Sequence, residues 1–159
     1  MLLELENAII ERLSSLGILA HAWSGKPEEL FMKPKSFPAV RVVLESADFE
    51  EMHFSKVYGA RLRLSLLVFF RSLRDKGSGA YEIIEKAIRA ITGAILAGFD
   101  LRLQGLSLMY HDSGEFCYHV RFIGYGKYVV ELDEVEPLVK RITTYEDDEI
   151  ISDVYSPNP

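Results

Sequence analysis

A single cysteine, Cys117, stands among the 159 residues, so the chain has no internal disulfide and no cysteine cluster for zinc. One thiol fits a reducing compartment. No apolar run approaches the roughly 18 residues that span a bilayer, which excludes a membrane partner of the helical kind. The N-terminal stretch "MLLELENAIIERL" lacks a basic leader and has acids within its apolar pattern, so it is not expected to be a signal peptide. No serine lies in G-x-S-x-G, and no Cys/His/Asp order of a thiol hydrolase is recognisable.

Positive charge is scarce where it would matter for nucleic acid. The formal net charge is −6, and residues 131–159 hold nine acidic and two basic side chains. The first 130 residues are left with 16 basic and 15 acidic ones. A nearly neutral body with an acidic extension argues against an indiscriminate nucleic-acid binder, which needs a net basic face to release counterions from phosphates, and no specific nucleic-acid partner is expected. Two segments follow: a single domain over residues 1–130, and an acidic extension over 131–159, partly ordered or packed on a neighbouring subunit.

What is present is strong periodicity. Leu2, Leu5, Ile9, Leu13 and Leu16 recur at helical spacing, with Gly17 as terminator. "HAWSGKPEELFMKPKSF" has no period and reads as a long loop, with Trp23, Leu30 and Phe31 available to pin it to the core. "PAVRVVLE" puts Val40, Val42 and Leu44 on one strand face and Arg41, Val43 and Glu45 on the other. "DFEEMHFSK" reads as a turn or irregular edge. The alternation from Tyr58 to Phe70 is the strongest strand signal: Ala60, Leu62, Leu64, Leu66 and Val68 share a face with both ends, and Arg61, Arg63 and Ser65 lie opposite. Leu67 and Phe69 turn that second face apolar, which predicts cover on both sides there. A helix is expected from Ala80 to Ala97 on a stripe of Tyr81, Ile84, Ile88, Ile91 and Ile95, capped by Gly98. A hairpin follows, "DLRLQGLSLMYH" and "EFCYHVRFIGYGKYVV", turning at Asp112-Ser113-Gly114. One more short strand is expected near Leu138–Thr143. The fold class is α+β: a mainly antiparallel sheet with two main helices packed on one face.

Candidate chemistry concentrates in "FFRSLRDKGSGAYEII", where Arg71, Arg74 and Lys76 neighbour Gly77, Ser78 and Gly79 ahead of a helix. Strand, glycine loop, helix start and cations are the parts of a phosphate cradle. The order is wrong for one: Lys76 precedes both glycines, and Glu82 stands where a dinucleotide fingerprint needs its third glycine. A solvated connection with Ser78 or Gly79 as N-cap is the simpler account. Cys117 and His119 share a strand face, but zinc needs further ligands that no second pair supplies. His21, His53 and His111 sit singly. No catalytic residue, metal or cofactor is therefore expected. Arg61 and Arg63, two apart on the polar face of the longest strand, are a soluble sheet face or half of a head-to-tail contact that closes a ring.

The segment order resembles a family of small Mu-like bacteriophage and prophage proteins grouped as tail-completion or tail-terminator proteins. The likeness covers about residues 2–130. It rests on "LLELENAIIERL", on Pro38-Ala39-Val40-x-Val42, on the long strand, on Gly79-x-Tyr81 opening "GAYEIIEKAIRAITGAIL", and on the hairpin after it. It implies a non-enzymatic α+β subunit of a homo-oligomeric, typically hexameric ring. Such a ring caps the tail tube, contacts tail tube protein and head-tail connector proteins, and resides in the virion tail after assembly in the host cytoplasm. Arg61, Arg63, Arg71, Arg74 and Lys76 are the candidate interface or ring-surface residues, and Phe99, Tyr110, Tyr125 and Tyr128 are expected to expose apolar surface. Two other readings stay open: a protein that uses the Arg71–Gly79 loop for a phosphorylated ligand, and a monomeric module that binds through its acidic arm.

Overall fold

The 14-residue strand Val57–Phe70 (β3) organises the molecule. In this computed structural model the described residues are 1–51, 56–76, 79–112, 114–130, 141–146 and 149–155. They form two units, Met1–Val129 and Val130–Pro159. The first unit orders its elements as α1 (Leu2–Ser15), β1 (Ala20–Ala22), a 3₁₀ turn at Pro27–Glu29, β2 (Ala39–Glu51) and β3. There follow α2 (Ala80–Ile91), β4 (Ile95–Leu96), β5 (Phe99–Asp112) and β6 (Glu115–Val129). Its six-stranded sheet has the order β1-β2-β3-β6-β5-β4. Every pairing is antiparallel except β1 with β2, so the α+β class with a mainly antiparallel sheet holds.

The alternation in β3 makes the two faces. Ala60, Leu62, Leu64, Leu66, Val68 and Phe70 are buried with Leu5, Ile9 and Leu13 of α1 and Ile83, Ile84, Ala87 and Ile91 of α2. Each large side chain so buried stabilises the fold by roughly 1.5–3 kcal/mol. Leu67 and Phe69 point the other way and form a smaller core with Val43 and Cys117, covered by Trp23, Leu30 and Phe37. The expected two-sided cover at that end is present. Gly17 ends α1 as expected: its N–H reaches Ser14 and the Ile18 N–H reaches Leu13.

Several expectations change. The 21–37 segment is not all loop, since its first two residues belong to β1 (Ala20–Ala22), which adds a parallel strand to β2, and Phe31 stays exposed while Trp23 and Leu30 pack. β2 continues through the acidic "SADFEE" to Glu51, pairing as far as Tyr58, so the start of the expected turn is strand and residues 52–55 lie outside the described residues. α2 stops at Ile91, six residues before the expected end. Gly93 adopts φ 73°, and Ala97 and Gly98 adopt φ 46° and 81°, which makes the tight β4–β5 turn. Gly98 therefore caps no helix, and Ile95 is 76% exposed. The inner face of α2 is Ile83, Ile84, Ala87 and Ile91, with Tyr81 outside. Phe99, expected to expose apolar surface, is 0% exposed, and Tyr110 is half-buried; Tyr125 and Tyr128 are exposed.

The second unit contains β7 (Arg141–Glu146) and β8 (Glu149–Tyr155), an antiparallel pair. Residues 138–140 of the strand expected near Leu138–Thr143 lie outside the described residues; the rest belongs to β7.

Candidate functional site

The connection from β3 into α2 decides whether an anion can bind there. Gly77 and Ser78 lie outside the described residues. Gly79 is the N-cap, with extended backbone. Its N–H donates to the Asp75 carbonyl (2.7 Å), that of Ala80 to Ser72 (2.9 Å) and that of Tyr81 to Leu73 (3.3 Å). Among the described residues, the helix-start donors of Gly79, Ala80 and Tyr81 that a phosphate would need are already spent on the loop's own carbonyls. A cleft beside it is lined by Lys35, Ser36, Phe37, Pro38, Arg71, Ser72 and Asp75, and the Asp75 carboxylate opposes an anion. Arg71 is engaged elsewhere: its guanidinium lies 4.4 Å from the Phe37 ring centre and 3.1 Å from Glu115 Oε1. Lys33 meets Oε2 of the same carboxylate at 2.9 Å. These two cations hold the Glu115 carboxyl below its ordinary range, Lys33 most strongly. Arg71 thus fastens the 33–37 segment to the end of the sheet, while Arg74 and Lys76 are exposed.

The sheet face turned away from the helices has three zones. At the β3 C-terminal end, Arg41 clamps the overlying segment. Its guanidinium donates to the carbonyls of Glu29, Leu30 and Met32 and stacks over Phe69 at 5.1 Å. Beneath it Cys117 is fully buried, and burial pushes its thiol up to about 12. Such a thiol is no nucleophile at neutral pH. Iodoacetamide at pH 8 is expected to leave Cys117 unmodified in the native protein and to alkylate it in denaturant, as a mass spectrum would show; rapid native labelling would contradict this burial.

In the middle zone Ser65, only 1% exposed, meets Glu45 from β2 and His119 from β6. His119 Nε2 also lies 3.2 Å from Glu45 Oε1. Serine, histidine and acid invite comparison with a hydrolytic triad, but both partners gather at the same ring nitrogen. A triad needs the acid on one nitrogen and the nucleophile on the other. The cluster ties three strands together polar group to polar group. Among the described residues no three His, Cys, Asp or Glu side chains gather as a metal site, and none of their helices is long and apolar enough to cross a membrane.

The third zone is basic. Arg61 and Arg63 project from β3, opposite Tyr125 and Ile123 of β6 and Asp48 and Ser46 of β2. Arg121 and Lys127 add cations from β6. All four are exposed and form no ion pair among the described residues. Arg102 on β5 is paired with Asp100 at 2.8 Å and stacks on Tyr125 at 5.6 Å. The five cations singled out from sequence therefore separate into two groups. Arg61 and Arg63 lie roughly 25–35 Å along the strand from the loop that holds Arg71, Arg74 and Lys76. Arg121 and Lys127 were missed, although their spacing on "VRFIGYGK" puts them on one face with Tyr125.

No protein-family model and no curated protein matches the sequence. Among solved structures, the fold is similar to a chain of the structure described as "Virion of native gene transfer agent (GTA) particle". The TM-score is 0.54 at 14% identity, and the match covers 79% of this chain and 96% of that chain. The likeness is one of fold: nearly the whole of that virion chain has a counterpart in this α+β architecture.

Proposed function

We propose that the chain is a structural subunit of a phage or prophage tail, of the Mu-like tail-completion kind. It assembles with copies of itself into a ring, about six subunits around, that caps the tail tube and joins it to the head. Its other partners are then the tail tube protein and head-tail connector proteins, in the virion tail after assembly in the host cytoplasm. The observation that supports this reading best is the fold shared with a virion chain over 96% of that chain's length. The sites agree with a protein that works by shape. The Gly79, Ala80 and Tyr81 donors ahead of α2 are spent internally, the thiol is buried, and the Ser65 cluster lacks the geometry of a nucleophile and base.

In this reading the exposed cations of the third zone, Arg61 and Arg63 foremost, face an acidic neighbour, and Arg74 and Lys76 lie on the ring surface beside the Arg71 staple. The acidic extension after Glu131 packs on an adjacent subunit. Mixing the protein with tail tubes and imaging their ends by negative stain tests the reading: capped ends and arrested growth are expected, and bare, growing tubes contradict it. The double variant Arg61→Glu, Arg63→Glu is expected to keep its melting temperature, because exposed substitutions usually change stability by less than about 0.5 kcal/mol. It should weaken tube capping roughly tenfold or more. Capping at the wild-type concentration would remove these arginines from the contact.

A further inference from the structure

We propose that subunits join by strand addition, the free edge of β5 in one copy pairing with the free edge of β2 in the next. This deepens the ring-subunit reading and rests on it. β4 covers β5 only at Phe99 and Asp100, and Leu101 closes that contact through Ala94 and Gly93. From Arg102 to Asp112 the outer edge of β5 has no strand partner among the described residues. On the far side of the sheet, β1 covers β2 only through Val42, apart from the Trp23 N–H on the Val42 carbonyl. The stretch Val43–Glu51 is likewise a free edge among the described residues. A sheet with two open edges on opposite sides is a template for strand addition in both directions.

The two edges match each other on both faces. Toward the helices, β5 exposes Leu103 (41%), Leu106 (46%) and Leu108 (51%). These lie in register with Phe122, Val120 and Tyr118 of β6. Exposed leucines in a row beside unpaired backbone are apolar surface awaiting cover. On the same face β2 carries Ala47 and Phe49, opposite Leu62 and Ala60 of β3, and Phe49 is 47% exposed. On the outer face, β5 has no acidic residue between Leu101 and His111. The Arg121 guanidinium lies over Gly105, within 3.0 Å of where a Cβ would stand, and so reaches toward the edge. β2 answers with exposed Asp48 and Glu50, and no basic residue between Val43 and Glu51.

Direction agrees as well. Three antiparallel steps separate β2 from β5, so the two run oppositely, and similarly oriented subunits meet antiparallel. The free stretches lie toward opposite ends of the sheet. The join therefore needs an offset of a few residues along the strands, the kind of stagger that tilts strands in closed barrels. Bulges between Leu103 and Gly105 and between Leu108 and Tyr110 leave Gly105–Leu108 as the longest unbroken run of this free edge.

Backbone alternation supplies the test. Leu101 turns both backbone groups away from β6; followed through the register and the first bulge, Leu106 and Leu108 do the same. Leu106→Pro therefore removes an edge N–H without removing a β6 bond, a placement proline tolerates. The full-length variant is expected to keep the wild-type circular dichroism while its assembly midpoint, by light scattering, rises at least tenfold. Leu106→Lys moves it the same way and serves if the proline variant does not fold. In wild-type assemblies the Leu106 and Leu108 amides should be protected from hydrogen exchange, and in the dilute chain they should exchange freely. Assembly by the substituted chains at wild-type concentrations, with both amides still exchanging freely in the wild-type assembly, overturns the strand join and leaves the ring reading standing. A wild-type chain that neither assembles nor caps tubes overturns both.

Discussion

Phe99→Ala is expected to destabilise the first unit by about 3–5 kcal/mol, the range for deleting a buried phenylalanine. Phe99 is 0% exposed and starts β5. Its ring fills the space that β6 vacates at the "GYG" of residues 124–126. A Cβ on Gly126 would stand 2.6 Å from Phe99 Cδ1 and 2.8 Å from the Gly98 carbonyl oxygen, and one on Gly124 would stand 2.9 Å from Leu101 Cδ2. The cavity left by alanine is thus bounded partly by glycine backbone, which cannot close on it as a side chain would, so the cost falls toward the upper end of the range. Against a total stability of about 5–15 kcal/mol this is a large fraction. A thermal melt should fall by about 10–20 °C. A drop equivalent to less than about 1 kcal/mol would mean that the ring does not occupy this space.

Gly79→Val tests the connection ahead of α2. A Cβ at Gly79 would lie 2.7 Å from the Asp75 carbonyl oxygen, 2.8 Å from the Asp75 nitrogen and 2.9 Å from the Leu73 carbonyl oxygen. All three are backbone atoms, and two of them belong to the hydrogen bonds that latch the loop onto the helix. None can swing aside as a flexible side chain could. Forcing the site open costs about 3 kcal/mol, the upper end for overpacking, and chemical denaturation would show it as a lower midpoint. The glycine serves close packing, so inorganic phosphate should bind neither form measurably by calorimetry. Wild-type stability in the variant, or phosphate binding that the variant loses, would return the loop to consideration as an anion site.

Much of the fold was legible because period and burial coincide. In β3 the alternation named both faces, and the structure buries Ala60 through Phe70 on one and leaves Arg61 and Arg63 exposed on the other. The failures have local causes. Ile91 and Ile95 are four apart, as in a helix, yet Gly93 and the Ala97-Gly98 turn reverse the chain between α2 and β5; two glycines five apart were the available warning. β1 is three residues long and too short to show any period. The acidic end of β2 looked like a turn because it is an open edge, whose polar residues meet water instead of a core.

The sites were less legible than the fold, since they arise from strand order. Ser65 meets Glu45 across 20 residues and His119 across 54, and no local spacing announces either contact. Arg41 was placed correctly on the outer face, but its clamp on the 29–32 carbonyls depends on how that segment crosses the sheet. Arg71 looked like a free cation and is a staple between Phe37 and Glu115.

The central claim, that this chain works by assembling, is tested most directly by its mass in solution. Light scattering over a wide concentration range, with negative-stain images of the same samples and of samples mixed with tail tubes, is expected to give a closed ring of about six subunits. A monomer at every concentration that also leaves tube ends bare would contradict it.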